Sequence, residues 1–479
     1  MTPGKKGVVQ RRKGQTPDER AARFNSVPEA NRYFQLKALR PQLRSRYIAQ
    51  GLLQDPTKPL RLDQAITFVG TCQDMCPEFE CEEREYQKNL EKFELIPGTN
   101  KLDRKRAVKA YHRPAAGNEQ PLPCDVRSPE VLTKTLDYLI ENIVGADDDL
   151  EASHAFVRDR TRSIRQDFTL QNCRSLAAVS AHERIARYHI LCLHQLCQNS
   201  NFSEQQEVEQ LRKVLLSLQE FYEDLREDGI SCPNEAEFRA YNIITHLRDT
   251  DIARQAQLYP KEIFRSSIVQ LALTFHGLCQ CNNTYFKRNM PPNCEASMNF
   301  FSKFLKLIKH PETPYLMACL LEWHLADIRK NALKAMNKAY LYQSPGISVS
   351  ELTDILWFDE EEHTLETCQS HGLEVVSEPT LAVKFRKKDP TTKRLVFYEV
   401  NPPPKQTKSF RLVESKRNKI SNVDIVNGIK QLPDITNSST VSRDRSLTEL
   451  SNDLTLSKSH KTPTRRKKRK QRKASISAA

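Results

Sequence analysis

Residues 70–85, GTCQDMCPEFECEERE, hold three cysteines, a methionine and six carboxylates in sixteen positions. Cys72 and Cys76 lie four apart and Cys81 follows five later, and short spacings of this kind occur in zinc sites. A tetrahedral site needs a fourth donor, and the nearest candidates, His112 and Cys124, stand alone. Asp74, Glu78, Glu80, Glu82 and Glu83 oppose thiolate formation, which argues against a reactive nucleophile. Cys72, Cys76 and Cys81 are therefore expected to pack as a structural clasp, with no metal assigned. HERIA at 182–186 places Ala186 where a zincin motif needs its second histidine, and His182 and His189, seven apart, read as structural. With 13 glycines in 479 residues, the chain contains no GxxxxGK[ST], GxGxxG or GxSxG segment. Nucleotide-dependent or serine-hydrolase chemistry is not expected, and neither is a cofactor.

Two basic clusters point to polyanions instead. Lys384, Arg386, Lys387, Lys388, Lys393 and Arg394 fall within eleven residues around KKDPTTKR, a turn able to contact phosphates without reading sequence. Farther on, Arg465, Arg466, Lys467, Lys468, Arg469, Lys470, Arg472 and Lys473 form a patch of nuclear-import type. The net charge of +14 is concentrated at the ends: residues 1–60 and 461–479 carry +9 each, leaving 61–460 at −4. The folded body is therefore not basic overall, and any nucleic-acid contact must be local.

The elements that position these groups are mainly helical. Leu211, Val214, Leu215, Leu218, Phe221, Tyr222 and Leu225 follow a three-and-four spacing, and similar stripes recur from Pro129 to Tyr342. Successive amphipathic helices with short connections predict a helical stack. Earlier, EEREYQKNLEKFEL reads as one helix, and the apolar pattern at Tyr33, Phe34, Leu36 and Leu39 as a short helix ending before Pro41. After Tyr342 come a strand at 347–349, two helices, a strand after Gly372 and a hairpin pairing 381–385 with 395–400, the order of a winged helix. The helix facing outward in that arrangement begins DEEE, so contact with nucleic acid should be led by the wing, with RNA or single strands and no sequence preference. The expected organisation is a mostly disordered basic arm at 1–60, a helical domain at 61–345, a winged helix at 346–400 and a disordered tail at 401–479. No apolar run is long enough to span a membrane, the N-terminus lacks a secretory signal, and 13 scattered cysteines suit reduced thiols in an intracellular protein.

Six stretches in order, GTCQDMCPEFE, DRKRAVKAYHRPAAG, PLPCDVRSPEVLTKTLDYLI, VRDRTRSIRQDFTLQN, ERIARYHI and EFRAYNII, resemble the signature segments of the GANP/Sac-three family of messenger-RNA export scaffolds. The resemblance covers about residues 65–390. It implies a PCI-type helical repeat followed by a winged helix, and a scaffold without enzymatic activity. It further implies pairing with a PCI-domain protein clasped by a small acidic Sem/DSS-type subunit, nuclear location, and service to the export complex TREX-two at the nuclear pore. Phe-Gly repeats and a long helix for centrin-type adaptors are not seen, so two rival expectations stand: a short relative at the centrosome and spindle, or a stand-alone RNA-binding protein.

Overall fold

A computed structural model describes residues 32–57, 66–113, 120–146, 150–281, 299–341, 346–377, 380–398 and 407–429. The patch from Arg465 to Lys473 lies outside them. The fold is mainly α-helical, as the periodicity predicts, and divides into two compact units. The first comprises residues up to Phe238 together with 419–429, and the second runs from Arg239 to Asn418. This division differs from the one expected at 345/346. Among the described residues no helix is long and apolar enough to cross a membrane.

The first unit contains α1 (Arg32–Ala49), α2 (Glu78–Gln87), α3 (Pro129–Tyr138), α4 (Glu151–Leu170), α5 (Leu176–Gln195) and α6 (Glu204–Glu227). Helix α5 starts where the Ser175 side chain accepts the N–H of Ala178, and it is buried on nearly every side. It therefore forms the centre of the unit. Helix α6 lies along it and buries the whole predicted stripe from Leu211 to Leu225.

Three local expectations change here. Helix α1 continues through Pro41 for 18 residues, although proline inside a helix costs about 3 kcal/mol. Docking offsets that cost: Arg40 pairs with Asp125 at 2.6 Å and lies over the Phe79 ring, while Leu43, Tyr47 and Ile48 pack on Leu53, Phe68, Leu122 and Val126. The arm read as mostly disordered is thus folded from Arg32 to residue 57. The helix predicted through residue 95 stops at Gln87, with Lys88 left-handed at φ 57°. The turn lets Phe93 pack against Phe156 and brings Glu94 back to Arg84. Finally, part of the supposed tail forms a short helix, Asn422–Asn427, whose Ile425 and Val426 are buried and whose ends bond to Gln195 and Arg184 of α5.

In the second unit, α7 (Ser267–Gln280), α8 (Phe301–Lys309), α9 (Tyr315–Glu322) and α10 (Leu325–Ala339) precede a small α/β module. That module runs β1 (Ile347–Ser348), α11 (Val349–Leu356), α12 (Glu361–Ser370), β2 (Glu374–Val376) and β3 (Ala382–Lys384). The sheet order is β1-β3-β2, antiparallel throughout, with Val383 opposite both Ile347 and Val375. Its core joins Leu333 and Met336 of α10 to Leu352, Leu356, Cys368, Val383 and Phe385. Gly346 adopts φ +99°, and a Cβ there would stand 2.7 Å from the Val383 carbonyl oxygen.

The hairpin is not the expected one. β3 pairs with β2 before it, and 395–398 contributes a single bridge, Lys388 to Leu395. The left-handed backbone of Arg386 (φ 66°) ends β3, whose partners are β1 and β2. Residues 407–418, also read as tail, are anchored too. Asp359 accepts the N–H groups of Phe410 and Arg411 at 2.8 Å, and Lys416 donates to the carbonyls of Lys309, His310 and Thr313.

Candidate functional site

The first four signature segments meet around α4. The strand-like stretch at Gly70–Cys72 lies parallel to 126–128: Cys72 N–H donates to the Val126 carbonyl at 3.0 Å and Ser128 N–H to the Cys72 carbonyl at 3.2 Å. Contact is so close at Gly70 that a Cβ would stand 2.5 Å from the Val126 oxygen. Gln171, just past α4, receives the Gly70 N–H on its side-chain oxygen and donates to the Arg127 carbonyl.

Two buried ionic knots complete the junction. In one, the Arg127 guanidinium meets Asp167 at 2.8 Å and Ser163 at 2.9 Å, while Lys109 donates to the other Asp167 oxygen at 2.6 Å and to the Asp125 carbonyl. Arg127 and Asp167 are completely shut off from solvent. In the other, Glu94 takes Arg84, Arg160 at 3.1 Å and the Val108 N–H at 2.9 Å. Asp159 accepts the Tyr111 N–H, and Gln166 donates to the His112 carbonyl. The segment DRTRSIRQDF thus uses Asp159, Arg160, Ser163, Gln166 and Asp167 to hold three loops. A carboxylate in such a dry interior needs this pairing, because an isolated buried charge is costly.

Cys72, Cys76 and Cys81 lie within this junction, all buried. Cys76 and Cys81 pack with Leu102 and Ala107, and the Cys81 thiol faces the Cys76 carbonyl. Burial pushes the Cys72 thiol up to about 11; the Cys81 hydrogen bond and burial raise Cys76 well above its ordinary value. They remain thiols. His112 and Cys124 do not join them: His112 faces Glu80, and Cys124 lies beside Tyr47 and Asp125.

Among the described residues, donors close enough to share a metal occur elsewhere, where His154, Cys192 and Glu207 bring ligand atoms within 4.8 Å of one another. Glu207 is already occupied. It accepts from His189 at 2.6 Å and His154 at 3.1 Å, with Arg158 at 3.3 Å. Burial alone would raise its carboxyl, but the two imidazoles outweigh that and hold it at about 2. The group acts as an ion-pair hub tying α4, α5 and α6 together. His182 sits apart from it, between Phe168 and Phe221, donating to the Ala178 carbonyl at 2.8 Å; burial depresses it to about 3.

The six cations of the predicted wing stay together. Lys384 is half-buried at the end of β3, and Arg386, Lys387, Lys388, Lys393 and Arg394 are exposed on the turn that follows. Asn337 of α10 fixes both arms of the turn, accepting the Arg386 N–H at 2.6 Å and donating to the Val396 carbonyl at 2.9 Å. Asp389 closes its tip by accepting the N–H groups of Thr391 and Thr392. Lys387 pairs with Glu374 at 3.1 Å in a solvent-exposed setting. The residues that sequence reasoning missed are the partners within the knots: Glu94, Arg127, Asp167 and Glu207.

Comparison with known proteins agrees with the signature segments. The model of the SAC3/GANP family matches residues 75–377. SAC3 family protein 1 of Schizosaccharomyces pombe is 54% identical over 413 residues, covering 86% of this chain and 40% of that protein. Protein xmas of Drosophila melanogaster is 33% identical over 321 residues (64% of this chain, 14% of that protein), and SAC3 family protein B of Arabidopsis thaliana 30% over 336 residues (66% and 18%). This chain therefore spans less than half the length of each of these relatives. The family match takes in Glu94, Arg127, Asp167 and Glu207 and the α/β module as far as β2, and the chain belongs to the SAC3/GANP family.

Proposed function

We propose that the chain is a non-enzymatic scaffold of nuclear messenger-RNA export, of the TREX-two type. In this reading the β1-α11-α12-β2-β3 module is a winged helix that pairs with a PCI-domain protein, itself clasped by a small acidic Sem/DSS-type subunit. The turn from Arg386 to Arg394 contacts RNA through its phosphates. Nuclear entry is assigned to the patch from Arg465 to Lys473, with docking at nuclear-pore components as the destination.

The observation that carries the RNA contact is the anchoring of five exposed cations on a turn fixed by Asn337. A preorganised cationic turn loses little conformational freedom on meeting a phosphate backbone. Ile355, Leu381 and Tyr398, exposed on the same module, support an apolar docking edge for the protein partner. Changing Lys387 and Lys388 to glutamate is expected to weaken binding of a single-stranded RNA about tenfold and to lower the slope of log affinity against log salt by about 1.4 or more. Fluorescence anisotropy across a salt series reads both quantities. Unchanged affinity and slope would remove the turn from the RNA-binding surface.

A further inference from the structure

Scattered exposed apolar side chains are ordinary on a protein surface, whereas a contiguous aromatic patch beside unpaired carboxylates is not. Such a patch sits where α1 meets α2. Tyr33 is buried and stacks on Tyr86 at 5.1 Å with the ring planes 15° apart, and Phe34 meets the same ring edge-on at 5.2 Å. Phe34 and Tyr86 nevertheless each stay 49% exposed. The carboxylates around them fall into two groups. Glu78 pairs with Arg32, Glu80 with Arg84 and His112, and Glu82 with Arg104. Glu83 and Glu85 make no ion pair among the described residues; Glu83 receives the Tyr33 hydroxyl at 3.4 Å. The nearby Lys37 lies 5.3 Å over the Tyr33 ring and donates to its hydroxyl, not to either carboxylate. Open aromatic faces next to unpaired carboxylates suit arginine, whose guanidinium stacks on a ring while its edge donates to an acid.

We propose that this patch docks the chain's own basic arm, with Arg20 and Arg23 laid on the Tyr86 and Phe34 rings and paired with Glu85 and Glu83. Residues 1–31 lie outside the described residues and join α1 at Arg32, two positions before Phe34. Seven residues separate Phe24 from Arg32, a reach of up to about 27 Å, so the stretch from Arg20 to Phe24 is within range of both rings. Charge favours the pairing. Residues 1–31 hold seven Lys and Arg against three Asp and Glu, a net of +4, whereas α2 holds five Glu against one Arg, a net of −4. A segment tethered this closely meets the patch at an effective concentration of millimolar order, which favours it over a second copy or a free peptide of the same chemistry. Docked, the arm covers both rings and holds two of its cations away from polyanions. The contact is independent of the basic turn of the second unit.

The test uses the full chain with the photo-crosslinker p-benzoylphenylalanine in place of Gln87, an exposed neighbour of Tyr86 whose replacement leaves both rings and both carboxylates intact. Irradiating an equal mixture of isotope-labelled and unlabelled protein, then mapping the products by mass spectrometry, separates contacts within one chain from contacts between copies. The expected products join position 87 to the arm before Arg32 within a single chain. Arg20→Ser/Arg23→Ser, which changes nothing among the described residues, is expected to lower their yield several-fold through loss of two cation–ring contacts, and Phe34→Ser/Tyr86→Ser to do the same. Products confined to neighbouring positions of α1 and α2 would overturn the docking. Products joining labelled to unlabelled chains would replace the arm with a second copy, and arm products whose yield is unchanged in Arg20→Ser/Arg23→Ser would reject the arginine contacts.

Discussion

Replacing Arg127 with alanine is expected to destabilise the first unit by about 3–5 kcal/mol, the usual cost of removing one partner from a buried ion pair. Asp167 would keep Lys109 but lose its closest guanidinium, and Ser163 and the Met75 carbonyl would lose donors in a site closed to water. The backbone of Arg127 also lies against Cys72, so disorder at this position would loosen the cysteine segment as well. Urea denaturation followed by circular dichroism reads the change. Trp323 and Trp357 both belong to the second unit, so their fluorescence follows that unit separately. A loss below about 1 kcal/mol would show that the pair does not hold the junction.

Acid should unfold the first unit well before its ion pairs are titrated, and His182 is the main reason. Its pKa is depressed to about 3 in the folded chain, while an unfolded histidine binds a proton near 6.5. The unfolded state therefore carries more protons between these values, and stability is lost as pH falls from about 6.5 toward 3. One such group contributes a slope of up to about 1.4 kcal/mol per pH unit, and about 4–5 kcal/mol over the whole range. Glu207, held low by its cationic partners, adds to the loss below about 4.5. In His182→Phe the ring would sit between Phe168 and Phe221, and the only bond lost is to a carbonyl already within a helix. Stability of this variant, measured between pH 6 and 4.5, should fall by up to about 1.4 kcal/mol less per pH unit than wild type. Parallel slopes in the two proteins would mean that His182 is already protonated in the native state.

The helical body was legible because its signal is local. Each stripe, such as Leu211 to Leu225, declares its own buried face, and the strand-helix-helix-strand order after Tyr342 depends on neighbouring residues alone. The failures share a cause. Helix α1 runs past Pro41 because of contacts with Asp125, Phe79 and the Leu122 cluster, distant in sequence. Residues 407–429 have a tail-like composition, yet Asp359, Glu322 and the groove beside α5 give them partners. At the candidate site, the exposed cations of the turn could be read directly from KKDPTTKR. The knots could not be read that way, since Arg127 and Asp167 stand 40 residues apart and only the fold shows which arginine meets which carboxylate.

The scaffold claim is tested most directly by affinity purification of the tagged chain from nuclease-treated extract, with subunit identities and stoichiometry measured on the eluted complex. The account predicts a helical-repeat protein ending in its own winged helix and a small acidic subunit, recovered in equal amounts with the chain and resistant to nuclease and moderate salt. Recovery of the chain alone, or of companions that vanish once nucleic acid is digested, would contradict it.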